Sequence, residues 1–226
     1  MDELPSGEIV TTYNDTLYLF SKKGWKKRVY FFKGKKLAVF SAAVDGDDLI
    51  LKVNTGVPDH SWMVRISGRQ LKIIHDNAKS EAGFFSNAMK TRNGGVLMVI
   101  KNKVYYYKNR KNRFLFRLPF SEVAPLRMDI LKNGDGYIGF SSTPRDYHIV
   151  RFNLSQENKF SIQNLPYYLF PRWCEFLNDG DILVLNRGGN IFELAKQGKI
   201  TQVGQNWSAG SRNFIIETNP GEIWMG

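Results

Sequence analysis

The chain has 226 residues, of which 42% are hydrophobic and 14% aromatic. This composition supports one sizeable folded domain and excludes a disordered chain. The formal net charge of +11 favours contact with polyanions, although a solvated, lysine-rich surface produces the same excess. The single cysteine, Cys174, excludes a disulfide framework, and we expect a buried, inert thiol there. No stretch approaches the roughly 18 apolar residues that a membrane-spanning segment needs.

Along the chain, a short turn that contains glycine recurs, each time between two apolar, strand-like runs. Asn-Gly and Asp-Gly pairs supply the positive φ angles that tight hairpin turns require. The turn recurs at spacings of 39 to 48 residues. A period of this size, built from short strands, is typical of a β-propeller with one four-stranded sheet per blade. The six copies are centred on Gly7, Gly46, Gly94, Gly134, Gly180 and Gly221.

Each repeat is predicted to contain four strands, which we call a, b, c and d from the centre of the propeller outward. In the clearest copy these are 172–177, 182–185, 190–194 and 200–203. The other strands a are predicted at 37–44, 86–91, 127–131 and 212–218, strands c at 17–20, 62–66, 104–107 and 148–152, and strands d at 28–32, 71–74, 114–117 and 160–162.

The two ends of the chain bear on the number of blades. The chain is predicted to open on a strand b, with no strand a before it, and to end on a strand a followed by a partial b at 223–226. The C-terminal strand is therefore predicted to pair with the N-terminal blade, which closes a ring of five blades and removes its open edges. A fragment of a larger propeller, or a six-bladed ring, also explains the extra strands at the two ends of the chain. The predicted blades are 1–33 with 212–226, 34–76, 77–117, 118–163 and 164–204.

The last repeat, Asn-Pro-Gly-Glu-Ile-Trp-Met-Gly at 219–226, resembles the repeat of two-component-regulator sensor propellers. In that family a Gly-x-Ile/Leu-Trp-Ile-Gly strand follows an Asp/Asn-Gly turn, and 136–139 is a weaker copy. The resemblance implies a ligand-sensing or interaction propeller in the periplasm or outside the cell, and it carries over no functional residue. Without it, the absence of a visible signal peptide favours the cytoplasm or a trimmed chain.

The loops that join strand d to the next strand a lie at the mouth of a propeller's central channel, where ligands commonly bind. In this chain they are rich in aromatic residues, with arginines at their exits. Such a surface suits a protein, peptide or glycan ligand, whereas the alternative is that the aromatics only cover the core. The candidate ligand-binding residues are Phe84, Phe85, Tyr167, Tyr168, Arg172, Trp207 and Arg212.

The turns between strands c and d carry most of the excess positive charge, in two dense groups at 22–28 and 108–113. Nucleic acid or another polyanion is a further possible partner there, with Trp25 available for stacking. Solvated lysines at outer hairpins also prevent edge-to-edge pairing, which is the alternative. The candidate polyanion-binding residues are Lys22, Lys23, Trp25, Lys26, Lys27, Arg28, Lys108, Arg110, Lys111 and Arg113.

The sequence favours binding over catalysis. It contains no Walker loop, Gly-x-Ser-x-Gly, Cys-x-x-Cys or His-Glu-x-x-His motif, and we expect no cofactor or metal ion. A hydrolase or lyase that acts on a glycan at the channel mouth is the alternative, since strands a offer carboxylates. The isolated histidines and acids are His60, His75, His148, Asp129, Glu175 and Glu217.

Overall fold

A computed structural model describes residues 2–54, 61–76, 86–121, 123–205 and 215–225. The chain divides into two compact units, Met1–Pro119 and Phe120–Gly226, and each is described by itself. Within the described ranges, none of the helical structure is long and apolar enough to cross a membrane.

The first unit contains three four-stranded sheets and a small hairpin. Within each sheet, every strand pairs antiparallel with its neighbours in the chain, so each sheet is a simple meander. Sheet I contains β1 (Asp2–Glu3), β2 (Ile9–Tyr13), β3 (Thr16–Ser21) and β4 (Gly24–Arg28), and the hairpin of β5 (Phe31–Phe32) and β6 (Lys35–Lys36) follows it. Sheet II contains β7 (Ala38–Asp45), β8 (Asp48–Asn54), β9 (Ser61–Ser67) and β10 (Gln70–Asp76). Sheet III contains β11 (Ser86–Lys90), β12 (Val96–Ile100), β13 (Lys103–Lys108) and β14 (Lys111–Arg117).

The second unit continues the same pattern with two four-stranded meanders and a terminal hairpin. Sheet IV contains β15 (Ala124–Ile130), β16 (Asp135–Ser141), β17 (Tyr147–Asn153) and β18 (Phe160–Leu165). Sheet V contains β19 (Pro171–Phe176), β20 (Ile182–Asn186), β21 (Ile191–Leu194) and β22 (Ile200–Gly204). A single 3₁₀ turn (Tyr167–Leu169) precedes β19, and the terminal hairpin consists of β23 (Ile215–Asn219) and β24 (Glu222–Met225).

The four-strand repeat is confirmed by these sheets. All six repeat glycines have φ between +59° and +98°, which is the left-handed region that favours glycine. The first strands of most sheets contact those of the next sheet: β7 contacts β1, β2 and β11 in the first unit, and β19 contacts β15 and β23 in the second. This succession is the arrangement that propeller blades adopt around an axis.

The core of each unit lies between the faces of consecutive sheets. On β8, Ile50 packs with the core shared with sheet III, whereas Leu49 and Leu51 pack with the core shared with sheet I. Both faces of this strand are therefore buried, which explains why it reads as a continuous apolar run. In the second unit, Tyr137 of sheet IV stacks on Phe176 of sheet V, with ring centroids 5.1 Å apart.

The first strand differs from the prediction that the chain opens without a strand a. Asp2–Glu3 forms β1 and pairs with the start of β2. This strand has no apolar pattern, and its contacts come from neighbouring sheets. The Asp2 carboxylate accepts a hydrogen bond from the N–H of Val44 (2.7 Å) and pairs with Lys90 (3.0 Å).

The C-terminal strand β23 pairs with β24. A five-bladed closure and the predicted blade boundaries stay predictions.

The outer strand of sheet I also differs from the prediction. It was expected at 28–32, but β4 begins at Gly24 because a two-residue turn at Lys22 and Lys23 follows β3 directly, and Gly24 has a φ of +95°. In sheet III, the two-residue turn is Asn109 and Arg110, both with positive φ, so β14 begins three residues earlier than predicted. Most of the basic residues of both hairpins therefore lie on strands rather than in turns.

Candidate functional site

A cleft of about 670 Å³ lies in the second unit, along one end of sheets IV and V. It is formed where β15, β17 and β19 begin and where β16 and β20 end. In a propeller blade this is the end that carries the d–a and b–c loops, so the cleft is on the face where a ligand was predicted. The described residues that line it are Leu126, Ser141, Tyr147, Pro171, Arg172 and Arg187.

The d–a loop beside this cleft is fixed to the b–c loop of sheet V. Leu169 of the 3₁₀ turn is fully buried, and Phe170 has a φ of +22°, which is unusual for a residue with a side chain. The Asn186 side chain donates a hydrogen bond to the carbonyl of Tyr168 (3.2 Å), and the Arg187 N–H donates one to the carbonyl of Phe170 (3.2 Å). These two hydrogen bonds connect the d–a loop to the b–c loop of sheet V.

Two arginines give the cleft its charge. The guanidinium of Arg187 lies 4.2 Å from the centre of the Phe170 ring, and this ring meets Tyr147 edge-on at 5.1 Å. The cation–π contact restricts where Arg187 can point. Among the described residues, neither Arg172 nor Arg187 has a carboxylate partner, and none of those that line the cleft is acidic. Among the residues that the structure describes, the cleft is therefore cationic and has no counter-charge.

The structure brings some of the predicted ligand-binding residues to this place. Arg172 lines the cleft. Tyr167 and Tyr168 lie beside it on the 3₁₀ turn, with 64% and 58% of their surface exposed. Arg187 was not predicted from the sequence. The pattern that could have indicated it is a single cation in the b–c turn of sheet V, next to an aromatic d–a loop. The remaining predicted residues, Phe84, Phe85, Trp207 and Arg212, lie outside the described residues, as does His60.

A second polar arrangement in this unit was also missed. The buried ring of His148 is bonded at Nε2 to the Ser142 hydroxyl (2.7 Å) and at Nδ1 to the Asn164 side-chain oxygen (2.8 Å). Ser142, His148 and Asn164 are thus connected in the order of a nucleophile, a general base and an orienting group. Such chemistry also needs backbone N–H groups for an oxyanion, and the Ser142 N–H is bonded to the carbonyl of Asp146 (3.0 Å). The chain of bonds thus satisfies a buried histidine that Phe120 covers at 4.4 Å.

The acidic residues of strands a take part in structural contacts. Glu175 is buried and forms an ion pair with Arg127 (Oε2 to Nη2, 3.3 Å). Glu217 accepts hydrogen bonds from the N–H groups of Asn178 (2.7 Å) and Gly221 (2.9 Å). The carboxylate of the buried Asp129 accepts a hydrogen bond from the next N–H in the chain (2.7 Å). No group of three or more His, Cys, Asp or Glu residues in the described ranges could hold a metal ion.

The single cysteine is buried, as predicted. The pKa of the Cys174 thiol is raised to about 12, mainly by burial and also by the neighbouring Glu175 charge, whereas Arg127 acts to lower it. The thiol is therefore protonated at physiological pH and belongs to the core.

The two basic hairpins differ in their contacts. Lys22, Lys23, Lys26, Lys27 and Arg28 are exposed at the outer edge of sheet I. Trp25 lies among them, is 58% exposed and packs on Phe20 with ring centroids 4.8 Å apart.

In the second hairpin, two of the predicted polyanion-binding residues hold turns together. Lys108 donates a hydrogen bond to the carbonyl of Asn93 (2.6 Å), and Arg110 pairs with the buried Asp48 (3.2 Å). Arg110 also donates a hydrogen bond to the Ser67 hydroxyl (3.3 Å). Lys111 and Arg113 are exposed on β14. The first hairpin is therefore the stronger candidate for contact with a polyanion.

No family model matches the sequence, and no curated protein matches it. Solved structures do. The chain is similar to a streptogramin B lyase (TM-score 0.68, 14% identity, 99% of this chain and 74% of that one). It is also similar to YCF48 bound to a D1 peptide (TM-score 0.61, 14% identity, 99% and 76%). An auxiliary nutrient-binding protein from Bacteroides thetaiotaomicron is a further match (TM-score 0.57, 13% identity, 95% and 62%).

The fold is a β-propeller. Identities this low establish the fold alone, and the neighbours include both binding proteins and a lyase.

Proposed function

We propose that this protein is a binding propeller without catalytic activity, and that the cleft of sheets IV and V takes an acidic peptide segment. The observation that carries the proposal is the pair Arg172 and Arg187 in a cleft whose described lining has no carboxylate. An arginine guanidinium matches a carboxylate with two parallel hydrogen bonds, and such charge-assisted bonds are stronger than neutral ones.

The size and rigidity of the cleft suit such a ligand. A volume of about 670 Å³ is within the usual range of ligand pockets and accommodates a few side chains. The exposed rings of Tyr167 and Tyr168 offer stacking surface at its edge. Because the flanking loops are already bonded to each other, little conformational entropy is lost when a ligand binds.

Two comparisons support a binding role. YCF48 is seen with a peptide, and another neighbour is a nutrient-binding protein. The resemblance of 219–226 to sensor propellers agrees with a role in ligand sensing, which would place the protein in the periplasm or outside the cell.

Catalysis is the competing function, since streptogramin B lyase shares the fold. A hydrolase or lyase needs an acid or base in reach of its substrate. The described residues that line the cleft include no carboxylate or imidazole, and its one phenol, Tyr147, is 7% exposed.

The test is binding of immobilised peptide libraries of two kinds, one rich in Asp and Glu and one in which Lys replaces them. We expect the wild-type protein to prefer the acidic library. Arg172→Gln and Arg187→Gln should each weaken binding of a selected acidic peptide by roughly 10- to 100-fold, because each removes a charge-assisted pair. Arg145→Gln is the matched control: it removes an exposed arginine from the b–c loop of sheet IV that does not line the cleft.

The proposal fails if the acidic library is not preferred, or if Arg145→Gln weakens binding as much as the two cleft variants do. Binding of an acidic oligosaccharide such as polygalacturonate, with no peptide bound, would assign the cleft to a glycan instead. Turnover of a bound ligand that the cleft variants abolish would establish the competing catalytic function.

A further inference from the structure

The segment from Lys22 to Lys36 in the first unit has an unusual composition. Its 15 residues include eight cations, five apolar or aromatic residues and two glycines, and no Asp, Glu, Asn, Gln, Ser or Thr. The acid-free stretch extends from Thr16 to Val44. We call the exposed cations and aromatic residues of the segment from Lys22 to Lys36 the basic edge, which consists of Lys22, Lys23, Trp25, Lys26, Lys27, Arg28, Phe31, Lys33, Lys35 and Lys36.

The basic edge is built from two adjoining hairpins. Five of its cations lie on the β3–β4 turn and on β4, which is the outermost strand of sheet I, and the other three lie on the β5–β6 hairpin. All eight are exposed, and none of them forms an ion pair with the residues that the structure describes. The residues that the structure describes therefore do not neutralise these charges.

Aromatic side chains are exposed between these cations. Trp25 is 58% exposed and Phe31 is 62% exposed. Lysines alone on an edge strand are explained by the need to prevent edge-to-edge pairing. Exposed tryptophan and phenylalanine work against that purpose, because they add apolar surface to the edge. The exposed cations and the exposed aromatic rings together indicate a partner that binds both.

Two kinds of partner have this property, an anionic membrane surface and a single-stranded nucleic acid. A single strand of nucleic acid is usually held in a cationic groove that follows its backbone, where the bases stack on aromatic rings. The cleft that Arg28 lines also holds the carboxylates of Glu8 and Asp47, which repel phosphate groups. A lipid surface needs no groove, because lysines bind anionic headgroups and aromatic rings enter the interface between headgroups and acyl chains. These features therefore favour lipid.

We infer that the basic edge docks this protein peripherally onto an anionic lipid bilayer surface, with Trp25 and Phe31 entering the headgroup region. The cations supply a salt-sensitive attraction and the two rings an insertion that salt does not screen. This surface belongs to the first unit and is independent of the cleft proposed for peptide binding.

The test is co-sedimentation of the full chain with vesicles of phosphatidylcholine that contain about 30% phosphatidylserine, which gives an anionic surface. Pure phosphatidylcholine vesicles are the lipid control. We expect binding only to the anionic vesicles, and loss of most of it as the salt concentration rises from about 0.05 M to about 0.5 M. Replacing Lys26, Lys27, Lys35 and Lys36 together by Gln should weaken the vesicle partition coefficient by roughly 100-fold or more.

The matched control replaces Lys72, Lys132, Lys159 and Lys199 by Gln, which removes the same charge from exposed positions elsewhere. It should weaken binding less than about threefold, because it leaves all eight cations of the basic edge in place. Trp25→Ala should weaken binding roughly tenfold at both salt concentrations, and Trp25→Phe should restore most of it.

Three results would overturn the inference. One is that the wild-type protein does not bind anionic vesicles at low salt. Another is that the control quadruple variant loses as much binding as the basic-edge variant, since a general effect of net charge would then explain the data. The third is that a poly(dT) oligonucleotide binds through the basic edge while vesicles do not, which would assign the surface to nucleic acid.

Discussion

Replacing Arg127 by Met should destabilise the second unit through a carboxylate that loses its partner. Arg127 on β15 and Glu175 on β19 form an ion pair of 3.3 Å that joins the first strands of sheets IV and V. The Glu175 side chain is 3% exposed, whereas that of Arg127 is 30% exposed. Leu126, Pro171 and Arg172, which line the cationic cleft, lie on the same two strands.

The size of the effect follows from the distance and the burial. At an effective dielectric constant of about 20, two unit charges 3.3 Å apart attract by about 5 kcal/mol. Removal of one partner from a buried pair costs about 3–5 kcal/mol, because the other charge stays buried. Arg127 keeps part of its hydration, so we expect about 3 kcal/mol for Arg127→Met. The loss should shrink at acidic pH, because the unpaired Glu175 then becomes protonated and neutral.

The measurement is the free energy of unfolding in urea, followed by far-ultraviolet circular dichroism at neutral and at acidic pH. Arg127→Met with Glu175→Leu should recover most of the stability, because no charge is then left without a partner. Arg145→Met, at an exposed position of the same unit, should change it by less than about 0.5 kcal/mol. The reasoning is refuted if Arg127→Met costs less than about 1 kcal/mol or if the double variant is no more stable than the single one.

Three further predictions concern the core and the turns. Gly136→Ala places a Cβ against the Phe152 ring and should lower the free energy of unfolding in urea by about 1–3 kcal/mol. An unchanged urea midpoint would contradict this, because it would show that the ring moves aside at no cost. Asp48→Asn removes the buried carboxylate that pairs with Arg110 and should lower the free energy of unfolding by about 1–3 kcal/mol, which calorimetry would show as a lower Tm. The expected loss is moderate because the Arg110 side chain is largely exposed. The Cys174 thiol should not react with Ellman's reagent at neutral pH until the protein unfolds. Because its pKa rises from 9.0 to about 12 on folding, stability should fall as pH increases through that interval, and less so in Cys174→Ala.

The sequence predicted the repeat correctly because the repeat is encoded locally. A glycine with positive φ between two apolar runs forms a hairpin whatever surrounds it, and all six such glycines have that conformation. The c strands and most of the a strands are confirmed to within a few residues for the same reason. Cys174 was expected in the core because a single cysteine with no histidine close in sequence is usually a small buried residue.

The candidate site was only partly predicted, because its residues come together through tertiary contacts. Arg172 and the tyrosines of the d–a loop were found from the aromatic composition of that loop. Arg187 follows Arg172 by 15 residues and joins the cleft through the bonds of its loop to Tyr168 and Phe170. The role of Arg110 was missed likewise, since Asp48 is 62 residues away in the chain.

Taken alone, the sequence therefore determined an all-β chain of four-stranded repeats, a buried thiol and the places where positive charge concentrates. These depend on turn chemistry, alternation of apolar residues and composition, each of which acts over a few residues. The tertiary structure decided that Asp2–Glu3 is a strand, where β4 begins, which arginines form ion pairs and which ones line a cleft. Those outcomes depend on contacts between residues far apart in the chain, and the energy of such a contact is absent from any local pattern.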